Sequence, residues 1–254
     1  MYEDNILFNK DKSRIISFRN QKQTSYVIPD SVTSIGESAF AVCRSLTDIV
    51  IPDSVFSIGD RAFAVCRSLT DIVIPDSVSC IGKFAFQWCD SLKSLVLPGG
   101  VTSIGDCAFW WCRSLKSLVI PESVVNLNGN PFCRWNGELK CLSPYFIYDN
   151  KVLFDKDKST IISFRDKDTT SYVIPDGVTN IGDHAFFSCD SLTDIVIPDS
   201  VVSIGDEAFE YCESLSSLVI PDSITIIGDK VFRGCSFPYD LKQGLISRFG
   251  DKIF

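Results

Sequence analysis

Apolar and polar positions recur along this chain with a fixed spacing of 23 residues. In one unit, Leu46, Ile49 and Ile51 follow the pattern LxxLxL; Val55 and Ile58 come next, then Ala62-Phe63 and Cys66, and Leu69 opens the following unit. Alternation around Ile49 and Ile51 predicts a short strand that turns those two side chains inward and Asp48 and Val50 outward. Pro52-Asp53-Ser54 ends it, because proline cannot donate to a ladder and Pro-Asp-Ser is turn chemistry. Gly59 suits a left-handed or tightly turned backbone, and Ala62-Phe63 with Cys66 predicts a buried turn. Val-Ile-Pro or Val-Leu-Pro closes the strand eight times, at Val27–Pro29, Val50–Pro52, Val73–Pro75, Val96–Pro98, Val119–Pro121, Val173–Pro175, Val196–Pro198 and Val219–Pro221.

A period of this length predicts stacked supersecondary units, each too small to bury a core alone and each completed by its neighbours. A second, longer period of 146 residues brings Tyr148–Pro175 onto Tyr2–Pro29, with NKDKSRIISF at Asn9–Phe18 and DKDKSTIISF at Asp155–Phe164. Each KDKS, at Lys10–Ser13 and Lys156–Ser159, predicts the tip of an antiparallel hairpin. After Cys235 the repeat stops. Pro238, then Leu241, Leu245 and Phe249 at spacings of four, then Gly250, predict a short helix that caps the open end of the stack. The expected fold is a β-rich solenoid with one short parallel strand per 23-residue coil, an inserted β-hairpin and a C-terminal capping helix.

The unit resembles the BspA-like branch of the leucine-rich repeat family, with its treponemal-type repeats close to SLTSITIPDSVTSIGDSAFSGC. The resemblance runs from Thr24 to about Leu127 and from Ser171 to Cys235, and DNKVLFDKDKSTIISF resembles the family's hairpin between repeat blocks. It departs at Leu127-Asn128, where Ile-Gly is expected, and at Pro131-Phe132, where Ala-Phe is expected, so the fifth coil is expected to be irregular. The organisation read from this is a hairpin or cap over 1–23, a first leucine-rich repeat block over 24–135, an irregular coil and inserted hairpin over 136–170, a second block over 171–235 and a helical cap over 236–254. The resemblance implies a curved solenoid that binds other macromolecules, usually at a bacterial or protist cell surface, and it brings no catalytic residues with it.

Composition narrows the partners. Of 254 residues, 45% are hydrophobic, enough for a sizeable core, while Lys+Arg 24 against Asp+Glu 32 gives a net charge of −8 that repels a phosphate backbone or an anionic membrane surface. The expected partner is a protein ligand, with no nucleic acid and no membrane insertion, since no apolar run approaches the ~20 residues of a membrane span. The oligomeric state is open. No export signal or lipidation box is present, so the chain is expected either to stay inside the cell or to be part of something longer. Two readings therefore stand: an adhesin- or receptor-like module at the cell surface, or an intracellular scaffold of the same fold.

Candidate chemistry is sparse. A single histidine, His184, excludes any site that needs a histidine pair. It stands where other coils carry Ser38, Arg61, Phe84, Cys107, Glu207 and Lys230, a variable position expected to be exposed and turned away from Cys189. Seven of the 11 cysteines (Cys43, Cys66, Cys89, Cys112, Cys189, Cys212 and Cys235) share one repeat position and are expected to form a buried column of reduced thiols acting as small hydrophobes. Asp30, Asp53, Asp76, Asp176, Asp199 and Asp222 follow proline, where side-chain capping of the turn explains them better than calcium. No catalytic residue, metal ligand or cofactor is read. Two faces remain as binding candidates. On the strand face, Val50, Val73, Val96, Val119 and Val196 stand beside Asp48, Asp71, Lys93, Lys116 and Asp194; valine's preference for β-geometry is the competing explanation of the column. On the turn side, Trp88, Trp110, Trp111, Phe187 and Tyr211 replace small residues, and core filling is the competing explanation there.

Overall fold

The structure is a computed structural model that describes the backbone of every residue except Met1 and Asp4, and side chains from Asn5 onward. The chain divides into two compact units, Met1–Tyr145 and Phe146–Phe254. Both open the same way. In the first, Tyr2–Glu3, Ile6–Phe8 and Arg14–Phe18 run antiparallel, with the Lys10–Ser13 turn between the last two. In the second, Phe146–Asp149, Val152–Asp155 and Thr160–Phe164 do the same around Lys156–Ser159. Each predicted hairpin is thus part of a three-stranded meander.

Coils then stack in parallel and in register on the last strand of each meander. The leucine motif contributes its strand, as in Ser25–Val27 against Asp48–Val50 and Ser171–Val173 against Asp194–Val196. A second short strand per coil, at Ser-Ile, adds to this. It builds the longer sheets: Arg14–Phe18 pairs with Ser34–Ile35, then Ser57–Ile58, Cys80–Ile81, Ser103–Gly105 and Asn126–Asn128 follow in register. The same column in the second unit runs Thr160–Phe164, Asn180–Ile181, Ser203–Ile204, Ile226–Ile227.

The glycine that follows Ser-Ile allows this close pairing. A Cβ on Gly82 would lie 2.5 Å from backbone atoms of Gly59 and Asp60 in the coil before. Of the two backbones expected at Gly59, left-handed or tightly turned, the left-handed one is absent there and at Gly82; the column is kept small by approach, not by φ. Left-handed backbone falls instead on two other residues per coil, such as Arg61 (φ 53°) with Val65 (φ 65°) and Phe84 (φ 56°) with Trp88 (φ 60°). These bends let alternate turn amides donate to the next coil, Arg61 to Lys83 at 2.8 Å, Phe63 to Ala85 at 2.8 Å and Val65 to Gln87 at 2.6 Å. The proline turn is closed by the Val55 amide on the Pro52 carbonyl at 3.1 Å and tied to its neighbour by the Ser54 hydroxyl on the Val32 carbonyl at 2.7 Å, while Asp53 stands exposed. The capping bonds expected of the aspartate column are replaced by these.

Phenylalanine fills the core as a ladder. Phe40, Phe63, Phe86, Phe109 and Phe132 stack at 5.3 to 6.1 Å in the first unit, and Phe164, Phe186, Phe209 and Phe232 at 4.8 to 5.8 Å in the second. Phe132 lies in the stretch expected to be irregular, which instead continues the stack. Asn126–Asn128 pairs in register, and Trp135 takes the cysteine position, buried, with its Nε1 donating to the Leu115 carbonyl at 2.8 Å. Glu138–Cys141 then pairs in parallel with Ser117–Ile120. The chain ends in a helix, Tyr239–Phe249, with left-handed Gly250 (φ 86°) behind it, and a single 3-10 turn, Asp251–Ile253. No helix among the described residues is long and apolar enough to cross a membrane.

Candidate binding faces

The inward face of the leucine strand holds Leu46, Ile49 and Ile51 in the core, so its alternate positions are left to solvent. Val50, Val96, Val119 and Val196 are exposed there, as are Val27 and Val173, and exposure reaches 79% at Val73 and 81% at Val219. Each unit presents its own column, Val27 to Val119 in the first and Val173 to Val219 in the second. Asp48 and Asp71 are exposed beside theirs, and Asp71 accepts from the Ser94 hydroxyl at 2.9 Å. Lys93 and Lys116 do not share that column. Register pairs Ser94 with Asp71, so Lys93 falls one position earlier, where its amide donates to the Thr70 carbonyl at 2.9 Å. The polar flank is therefore two adjacent columns, one of Asp48 and Asp71 and one of Thr47, Thr70, Lys93 and Lys116, all exposed except half-buried Thr70. Asp194 occupies the aspartate column of the second unit.

The aromatic turn positions do not form one surface. In the first unit Trp88 and Trp111 stack at 4.8 Å, half-buried, with Arg113 over Trp111 at 3.9 Å and Arg67 over Trp88 at 5.2 Å; Trp110 meets Phe84 at 5.7 Å. In the second, Phe187 is only 2% exposed and packs edge-on against half-buried Tyr211, so Phe187 is core and drops out of the candidate surface. An arginine thus lies over each of the Trp88 and Trp111 rings.

His184 is also corrected: it is 6% exposed, and its Nε2 lies 2.9 Å from Glu207, which Lys230 reaches at 3.3 Å. The same turn buries Glu210 against Arg233. His184 holds the Glu207 carboxyl well below its usual range, while burial and the Glu207 charge push Glu210 up to about 7. Sequence reasoning missed Glu210, which stands in a variable column with Ala41, Ala64, Gln87, Trp110, Phe187 and Arg233; a carboxylate followed one coil later by an arginine at the same repeat position was its signal. The column cysteines are buried except Cys235, which is half-buried in the last coil, and Cys107 and Cys133 are buried as well. Thiol protons of Cys66, Cys89 and Cys112 are donated to carbonyls of Phe40, Phe63 and Phe86 at 3.0 to 3.2 Å.

A model of the BspA type leucine-rich repeat region matches residues 15–137 and 161–254, in six copies. The chain belongs to this family. Among solved structures it is similar to the pneumococcal vaccine antigen PcpA, at 25% identity and a TM-score of 0.68, over 84% of this chain and 60% of that one. It is also similar to a leucine-rich repeat protein from Eubacterium ventriosum (21% identity, TM-score 0.62, 92% of this chain and 70% of that one) and to one from Bacteroides ovatus (24%, TM-score 0.52, 100% and 98%). The last two, below 25% identity, bear on the fold alone. The chain spans about three-fifths of PcpA's crystallised length. No curated relative matches it.

Proposed function

We propose that this BspA-type repeat protein is a non-enzymatic protein-binding module, adhesin- or receptor-like, that recognises a macromolecular partner through its strand face. The observation that carries the reading is the exposed valine column: apolar, repeated in every regular coil, free of core duty and flanked by fixed charges. Contiguous apolar surface of this kind supplies contact area, and the Asp48, Asp71 and Lys93, Lys116 columns beside it supply orientation and steering. Arginine already lies over the Trp88 and Trp111 rings, which leaves the turn side less to offer. With host-surface and cytosolic extracts as bait mixtures, the partner's source separates a surface module from an intracellular scaffold. Once a partner is captured, Asp48→Lys with Asp71→Lys should weaken binding at least tenfold, about 1.4 kcal/mol, while Trp88→Ala with Trp111→Ala leaves it unchanged in folded protein. The reverse result would move the site to the turn side.

A further inference from the structure

Cys189 heads the thiol column of the second unit, and its contacts differ from those of its neighbours. Cys66, Cys89, Cys112, Cys212 and Cys235 each donate a proton to the phenylalanine carbonyl of the preceding coil, at 3.0 to 3.2 Å. Cys43, which heads the first unit's column, reaches the Phe18 and Ala41 carbonyls only at 3.8 and 4.0 Å. At Cys189 the sulfur accepts instead. Lys167 Nζ lies 3.3 Å from its Sγ and donates to the Phe187 carbonyl at 3.0 Å, so the ammonium is anchored over the sulfur by a second bond. The loop 165–170 carries this half-buried lysine, and Cys189 beneath it is buried.

An ammonium on a sulfur favours the thiolate. Burial raises the thiols of Cys89 and Cys112, and it pushes Cys189 upward too, but the Cys212 thiol and the Lys167 charge outweigh it and bring Cys189 down to about 7. The internal copy supplies a comparison. At the position 146 residues before Lys167 stands Gln21, which has no charge to offer Cys43, so Cys43 is lowered by hydrogen bonding from Cys66 alone, without an ammonium.

We propose that Lys167 and Cys189 form a peroxide-responsive cross-linking site, in which hydrogen peroxide oxidises Sγ and Nζ then bonds to it. In the first step the Cys189 thiolate attacks one peroxide oxygen; the O–O bond breaks, Cys189 becomes the sulfenic acid, and the departing hydroxide takes a proton from the Lys167 ammonium to give water. In the second step the Nζ lone pair attacks Sγ and the S–O bond breaks. That hydroxide leaves with the second N–H proton as another water, giving a sulfenamide. Sulfur is oxidised by two electrons and peroxide reduced by two. The flexible lysine stem closes the remaining distance without moving a strand. Cys212 competes poorly for the sulfenic acid: hydrogen bonding to Cys189 with burial raises its pKa well above the ordinary thiol value, so it stays a thiol. The bond would pin the loop 165–170 to the first full coil of its unit.

The full chain is treated with hydrogen peroxide, alkylated, and mapped with trypsin and chymotrypsin. The expected product joins the Lys167 segment to the Cys189 peptide, with a mass about 2 Da below their sum, no tryptic cut after Lys167, and reversal by dithiothreitol. Lys167→Gln, which installs the residue found at the equivalent place in the first unit, should abolish it and slow oxidation of Cys189 toward that of Cys43. Lys167→Arg should keep the fast oxidation and lose the cross-link, since guanidinium is a poor nucleophile. Circular dichroism of both variants confirms folding. Cys189 left alkylatable, oxidised to sulfinic acid without a link, or bridged to Cys212 would overturn the proposal.

Discussion

Gly82 sits where the neighbouring coil leaves no space for a methyl group, since backbone of Gly59 and Asp60 would stand 2.5 Å from its Cβ. Gly82→Ala should therefore cost about 3 kcal/mol in urea unfolding, whereas Gly99→Ala, with nothing within 4 Å, should be close to neutral. Equal effects would mean that the glycine column does not set the coil spacing. Glu210 is a second test at this scale, being 0% exposed with a carboxyl pushed up to about 7 from 4.5. Its folded state holds the proton more tightly, so its contribution is full below pH 4.5 and is lost as pH rises through 7. Glu207, shifted down by His184, works in the opposite sense and weakens the fold only as pH falls below 4.5. Glu210→Gln should be more stable than the parent at pH 8, by up to about 3 kcal/mol, and indistinguishable at pH 4. A loss at both values would show that the carboxylate is needed for its contact with Arg233.

The capping helix was legible as an element, from Pro238, the spacing of Leu241, Leu245 and Phe249, and Gly250. The last four residues were not. The Lys230 amide donates to the Lys252 carbonyl at 2.6 Å and the Phe232 amide to the Ile253 carbonyl at 2.7 Å, continuing the ladder by which each turn bonds to the next. Asp251–Phe254 thus stands in for the turn of a further coil, with Ile253 buried and Phe254 6.1 Å from Phe232. A motif of four residues has no period by which to be recognised. Arg248 fastens the helix itself through the Ile220 and Pro221 carbonyls at 3.0 and 2.8 Å. Ending the chain at Gly250 should cost about 3 kcal/mol, from one buried isoleucine and two lost hydrogen bonds, and should expose Phe232 to aggregation. Ile226, by contrast, is exposed already. A truncated chain that melts unchanged and stays monomeric would assign no capping role to these residues.

For the molecule as a whole, eleven free thiols are a statement about chemistry that denaturation can read. Unfolded without reductant and then alkylated, the protein should carry modifications on most of its eleven cysteines; three or more native bridges would contradict the ladder of thiols donating to phenylalanine carbonyls. The two compact units each carry a meander, a valine column and a phenylalanine ladder of their own, which is the larger period of 146 residues made visible. Charge at this scale, −8 in total, favours basic partners over acidic ones.

By itself the sequence determined the coil, its strand, its phenylalanine and cysteine columns, and the outward set of valines, because a repeat aligns with its own copies and each column reads as one environment. It also showed where the copies break. What replaced the pattern there was decided in three dimensions: Trp135 fills a cysteine position because its indole nitrogen finds the Leu115 carbonyl, and Phe132 keeps its ladder despite the proline before it. The split of Asp48 and Asp71 from Lys93 and Lys116 into separate columns needed the strand register. The burial of His184 and the reach of Lys167 to Cys189 were invisible for one reason. Each depends on where a long side chain ends, and a repeat pattern fixes only where its backbone begins.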